Sequence, residues 1–153
     1  MFNYSNSIEK QIKMNPDLFV NSFKMNVMDQ LKAIDCRAEI KGNVIHFRRI
    51  VRILPRTEPG KTDVFKLLKE GNIEINEVNK HKIFISWSIK LDTLLFFSIV
   101  VGLIIGLFIG FANSSFLIFA IIGIFSPSIP FCIGYFLITN QIDEIILNSL
   151  LIK

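Results

Sequence analysis

The chain has 153 residues, 51% of them hydrophobic and 20% charged, with a formal net charge of +4. These averages describe neither half: residues 1–90 hold 16 of the 17 Lys and Arg against 10 of the 13 acids, whereas Thr93 to Ile142 is a run of 50 residues without one charged side chain. The bipartite pattern excludes a wholly water-soluble globule, and two cysteines in unlike surroundings, Cys36 and Cys132, exclude a disulfide framework or a Cys-rich metal site.

Residues 1–14 form an N-terminal segment that mixes Asn, Ser, Glu and Lys without an apolar run, so no secretory signal is expected there and the first span itself drives insertion. Residues 15–35 predict an amphipathic helix with Asn15 as N-cap, Pro16 at the first helical position and Asp17 in the first turn. Phe19, Phe23, Val27, Leu31 and Ile34 recur on one face at spacings of three and four. Two β-prone runs follow, Arg37 to Lys41 and Val44 to Leu54, separated by Gly42-Asn43, a dipeptide suited to a two-residue hairpin.

Pro55 and Pro59-Gly60 end that strand, and Asp63 to Glu70 predicts a short helix with Gly71 just past its end. A second hairpin is expected from Asn72 to Val78 and Lys82 to Ile89, turning at Asn79-Lys80. In its last strand Ile83, Ile85, Trp87 and Ile89 alternate with Phe84, Ser86, Ser88 and Lys90, giving one apolar face. The expectation for 15–90 is therefore a cytosolic α+β domain of order helix-β-β-helix-β-β around an antiparallel sheet. Only Leu91 and Asp92 separate it from the apolar run, so the joint is rigid, and Trp87 suits either headgroup depth or the sheet core.

Residues 91–139 predict a transmembrane hairpin with spans at about 93–111 and 116–138, because a bilayer core of about 30 Å takes roughly 20 helical residues to cross. The turn falls at Ala112-Asn113-Ser114-Ser115, and Pro127 and Pro130 kink the second span, where Ser126 and Ser128 can satisfy freed backbone groups. Lys80, Lys82 and Lys90 beside the first span place both termini in the cytoplasm and the hairpin in the cell (inner) membrane. Gly102, Gly106 and Gly110 repeat every four residues and form a helix-packing stripe, directed at the second span or at another copy of the chain. Residues 140–153 read as a separate amphipathic helix, with Ile142, Ile145, Ile146 and Leu150 at helical spacing. It would dock at the interface, under the soluble domain or on a partner.

Little in the chain points to catalysis. Pro59-Gly60-Lys61-Thr62 imitates the end of a phosphate-binding loop, but the required earlier glycine is replaced by Pro55. His46 and His81 lack partners at metal-ligand spacing, and no serine sits in a nucleophile elbow. No catalytic, metal or cofactor residue is assigned. The densest basic cluster, Arg48, Arg49, Arg52 and Arg56, suits a solvated strand or anionic lipid headgroups. Nucleic acid is disfavoured because no aromatic residues that could stack on bases are interleaved with the patch. The sequence thus predicts a small integral membrane protein acting as a non-enzymatic interaction, assembly or regulatory subunit, partnered by lipid and by another membrane protein or a second copy. Two alternatives stand beside it: an immunity-type protein guarding a membrane target from a toxin, and a small oligomeric pore lined by Ser98, Ser126, Ser128 or Thr139.

Overall fold

A computed structural model describes residues 2–13, 15–49, 69–79, 81–113, 121–123 and 125–151. Its elements are β1 (Asn3–Gln11), α1 (Pro16–Ala33), β2 (Cys36–Lys41), β3 (Val44–Arg49), β4 (Glu70–Asn79), β5 (Lys82–Lys90), α2 (Asp92–Asn113) and α3 (Ser128–Ser149). The strands form one antiparallel sheet in the order β1-β5-β4-β3-β2. The class is mixed α+β, and two helical stretches, Asp92–Ile109 in α2 and Ile121–Ser149, which contains α3, are long and apolar enough to cross a membrane.

Local chemistry explains the elements that the sequence announces. The Asn15 side chain accepts a hydrogen bond from the Asp17 N–H at 3.0 Å, satisfying one of the free donors at the start of α1, and Pro16 needs no such partner. Phe19, Val20, Phe23, Val27 and Leu31 form the buried stripe of that helix. Asp35, at φ 59°, turns the chain out of α1 into β2. Gly42 has φ 61° at the tip of the β2–β3 hairpin; glycine at the first of two turn positions suits a type II′ turn, whose twist matches the strands it joins.

Of three points in the expected order of elements, the first and third differ and the second falls mostly outside the described residues. First, β1 occupies the N-terminal segment and pairs along its whole length with β5, from Asn3 opposite Lys90 to Gln11 opposite Lys82, so the sheet has five strands instead of four. Tyr4, Ile8 and Ile12 share one parity and supply its apolar side, but Asn6 and Lys10 interrupt the alternation that marks a strand. Second, residues 50–68 lie outside the described residues. The end of the strand expected to Leu54 and nearly all of the helix expected over Asp63 to Glu70 fall there, while Glu70 itself opens β4. Third, residues 140–149 are not a separate amphipathic helix: they are the lower half of α3, which is helical without interruption from Ser128 to Ser149.

That continuity organises the core. Ile45, Phe47, Ile73, Ile75, Ile83, Ile85, Trp87 and Ile89 line one face of the sheet, and α1 and the C-terminal half of α3 lie side by side over it. From α3 come Ile138, Ile142, Ile145 and Ile146, all buried, while Gln30 of α1 donates to Ser149 Oγ at 3.0 Å between the two helices. The N-terminal half of the same helix leaves Ile129, Ile133 and Phe136 exposed, the last at 64%. One rod of 22 residues, about 33 Å long, therefore begins as an exposed apolar helix and ends as a core element of the sheet module.

Gly71 shows how tightly the sheet side of that core is filled. A Cβ there would lie 2.6 Å from the Ser88 carbonyl oxygen and closer still to the ring of Phe47, which occupies the space a side chain would take. Gly71→Ala is expected to destabilise the protein by about 2 kcal/mol through overpacking against backbone that cannot move aside. Chemical unfolding in detergent, followed by the emission of the single tryptophan, Trp87, measures it. Adding Phe47→Leu should recover part of the loss but not all, because the Ser88 carbonyl stays in place.

Candidate functional site

Two polar assemblies stand out, one on each face of the sheet. On the covered face, Asp143 projects from α3 and accepts three hydrogen bonds: from Trp87 Nε1 on β5 at 2.8 Å, from the Tyr4 hydroxyl on β1 at 2.7 Å and from Asn6 Nδ2 on β1 at 3.2 Å. Trp87 is 4% exposed, so of its two sequence-stated settings the structure selects the sheet core. The Tyr4 ring also meets Tyr135 of α3 edge to face at 5.9 Å, and one helical turn higher Phe131 meets Phe2 at 5.3 Å. This ladder of contacts fastens α3 to the first strand. The Phe2 N–H adds a bond of 2.6 Å to Asp92 Oδ1 at the start of α2.

Burial, with the neighbouring Asp143 carboxylate second, pushes the Tyr4 phenol up to about 12. A raised acid of this kind stabilises the fold below the ordinary tyrosine value of about 10 and loses that contribution as the pH climbs through the folded value. Stability should therefore fall between pH 10 and pH 12, and Tyr4→Phe should flatten that decline. Unfolding midpoints measured at the two ends of the range test this, and an equal decline in both proteins would refute it.

The opposite face of the sheet carries no helix among the described residues and is mostly polar, with Phe84 and Val44 as its apolar members. Strand register arranges it in rows that run across the strands. The row nearest the start of α2 is Asn3, Lys90, Glu70, Arg48 and Arg37, one from each strand in sheet order. The next is Ser5, Ser88, Asn72, His46 and Glu39. Together these rows, Ser5 apart, line a groove of about 690 Å³. Within it Lys90 is paired with Glu70, Arg37 approaches Glu39 at 3.4 Å, and the His46 ring N–H donates to Asn72 Oδ1 at 2.7 Å. The hydrogen bond from Lys90 holds the Glu70 carboxyl below the usual range, so its side of the pair stays ionised at neutral pH.

The sequence-assigned residues distribute as follows. Arg48 lies in the first row of the groove. Arg49 points to the other side of β3, half-buried, with Nη1 shielded from solvent and no hydrogen-bond partner among the described residues. Arg52 and Arg56 lie outside the described residues. Gly102, Gly106 and Gly110 all fall on α2. A Cβ on Gly102 would lie 2.8 Å from the backbone nitrogen of Pro127 and closer to its ring, and the Gly102 carbonyl accepts a bond from Ser126 Oγ at 3.1 Å. Gly106 is buried as well. A reciprocal contact comes from Gly134 of α3, where a Cβ would meet the Leu94 side chain at 2.5 Å. Among the described residues no three His, Cys, Asp or Glu side chains gather where they could hold a metal ion.

Sequence reasoning did not find the Asp143 cluster or the Arg37–Arg48–Lys90 row. The parity of Tyr4, Ile8 and Ile12 was the one local signal for the first; the second depends on register across five strands. No family model matches the chain, and neither a curated protein nor a solved structure is measurably similar to it.

Proposed function

We infer that the chain is a two-pass membrane protein whose sheet module is clamped to the cytoplasmic surface of the cell membrane, with both termini on that side, and that it acts there as a non-enzymatic binding subunit through the open sheet face. The observation that carries this is the single helix α3, exposed and apolar around Ile133 and Phe136 but buried under the sheet from Ile138 to Ile146. Bilayer would cover the first part and the module covers the second, so the sheet sits at the membrane boundary without a flexible tether. Phe131, Tyr135 and Phe2, near the level where α2 begins, are of the residue class favoured at that boundary.

Binding is favoured over catalysis on the open face because most of the titratable groups lining the groove are already engaged with neighbours: Lys90 with Glu70, Arg37 with Glu39 and His46 with Asn72. Such groups suit recognition of a ligand better than transfer of a proton. The pore alternative draws less support. Ser126 gives its hydroxyl to the Gly102 carbonyl, and Thr139 gives its own to the Tyr135 carbonyl at 2.9 Å, so both are used inside the hairpin. The test is a membrane fractionation combined with photo-crosslinking from Asn72. A chain that resists alkaline carbonate extraction and forms a discrete adduct from Asn72, but not from the α1 surface position Met25, supports the reading. Extraction by carbonate overturns it.

A further inference from the structure

We propose that the end of the open groove next to α2 is a binding site for the phosphate of an anionic phospholipid headgroup, held by Arg48 and Arg37 with Lys90 at its rim. The proposal rests on the reading that α2 and α3 cross the bilayer and names the ligand of the open face.

Three observations favour this occupant. The first is an electrostatic conflict built into the register: Arg37 stands directly opposite Arg48 on neighbouring strands, both exposed. Like charges in that position repel, and an anion between them removes the repulsion. The second is how the charges are paired. Glu70 is engaged by Lys90 and Glu39 by Arg37, whereas Arg48, which stands opposite Glu70 and acts on it only through its field, makes no direct ion pair among the described residues. Planar guanidinium groups present forked N–H donors that match phosphate oxygens, and Ser88 and Asn72 in the next row add neutral donors for the glycerol or other polar part. The third is position. Lys90 is the last residue of β5, with only Leu91 before α2, so the row lies where headgroups would surround the base of the first span. A phosphate there keeps its acyl chains beside α2, where Leu95, Phe96 and Ile99 are exposed. The groove volume of about 690 Å³ lies within the range of small-molecule sites.

The test uses the full chain purified in mild detergent and titrated with a short-chain phosphatidylglycerol, with phosphatidylcholine as the zwitterionic comparison, and reads retained lipid by native mass spectrometry. The expected result is preferential retention of phosphatidylglycerol, reduced on the order of tenfold or more by Arg37→Glu with Arg48→Glu. The double lysine variant Arg37→Lys with Arg48→Lys should retain it in part, and Lys41→Glu, at the far end of the same face, should retain it fully. Equal retention by the double glutamate variant overturns the proposal, as does equal retention of the two lipids by the unaltered chain. Competition by millimolar glycerol phosphate alone, with no preference for the lipid, would assign the groove to a soluble phosphate ester and also overturns it. So does an acidic protein held in place of lipid. Should the glutamate variant fail to fold, the lipid preference of the unaltered chain and its partial reduction in the double lysine variant decide the matter, and undiminished retention by the lysine variant overturns the proposal. Carbonate extraction of the chain from membranes would sink the membrane-bound reading itself, an outcome separable from unchanged lipid retention by an inserted chain.

Discussion

Replacing Asp143 by alanine is expected to cost about 3 kcal/mol of stability, the largest loss for any single polar side chain in the module. The carboxylate accepts bonds from Trp87, Tyr4 and Asn6, so its removal strands two donors on large rings packed in or against the core, while the exposed Asn6 keeps its bond to the Tyr4 hydroxyl. Each buried donor left without a partner costs about 1–3 kcal/mol, and the half-buried setting of Asp143 lets water recover a part of that. Asp143→Asn keeps one acceptor oxygen and should lose roughly half as much. Unfolding in detergent, read by circular dichroism so that Trp87 can also be varied, gives the comparison. Asp143→Ala combined with Trp87→Phe should cost less than the sum of the two single changes, since they break one shared bond. A loss under about 1 kcal/mol for Asp143→Ala would remove the carboxylate from its role in joining α3 to the sheet.

Gly102→Ile is expected to destabilise the helix hairpin by about 2–3 kcal/mol, because the new side chain must displace the ring and backbone of Pro127 and lengthen the Ser126 bond to the Gly102 carbonyl. Gly134→Ala should cost less, since the atom it meets is the movable end of Leu94. Gly123→Ala should be neutral: among the described residues no heavy atom lies within 4 Å of its Cβ position. Thermal stability in detergent ranks the three. Crosslinking in membranes supplies the second readout. A Gly102→Ile protein that loses stability with an unchanged self-crosslinking pattern has lost a contact within its own hairpin, and one that loses self-crosslinks has lost a contact between copies.

The parts of the fold that rest on local chemistry are legible in the sequence. Asn15-Pro16-Asp17 announces the start of α1 and Gly42-Asn43 the first hairpin, while the alternation from Ile83 to Ile89 gives both the strand and its buried side. The misses are nonlocal. β1 is an edge strand with Tyr4 and Ile8 as its inward apolar residues, and its remaining inward positions are filled by Asn6, which reaches Asp143, and by Lys10. Asn140, Gln141, Asp143 and Glu144 look like the exit of a helix from lipid into water. In the fold they mark where the same helix passes from its exposed apolar half to the module, with Ile142, Ile145 and Ile146 continuing an inward stripe. The basic cluster was visible as a linear run through Arg48 and Arg49, but adjacent residues on a strand point to opposite faces. Arg48 finds its neighbours Arg37 and Lys90 on other strands, a juxtaposition that only register creates.

Because Ile138 to Leu150 complete a core that begins with β1, the module cannot be finished as it leaves the ribosome. Everything up to Lys90 emerges before either long apolar helix, yet its apolar floor stays half uncovered until α3 has been made and has folded back over it. Completion of the fold thus waits on α3, and on the proposed two-pass reading insertion comes before it. A fragment cut at Lys90 to obtain a soluble piece would expose Ile85, Trp87 and Ile89 to water and aggregate.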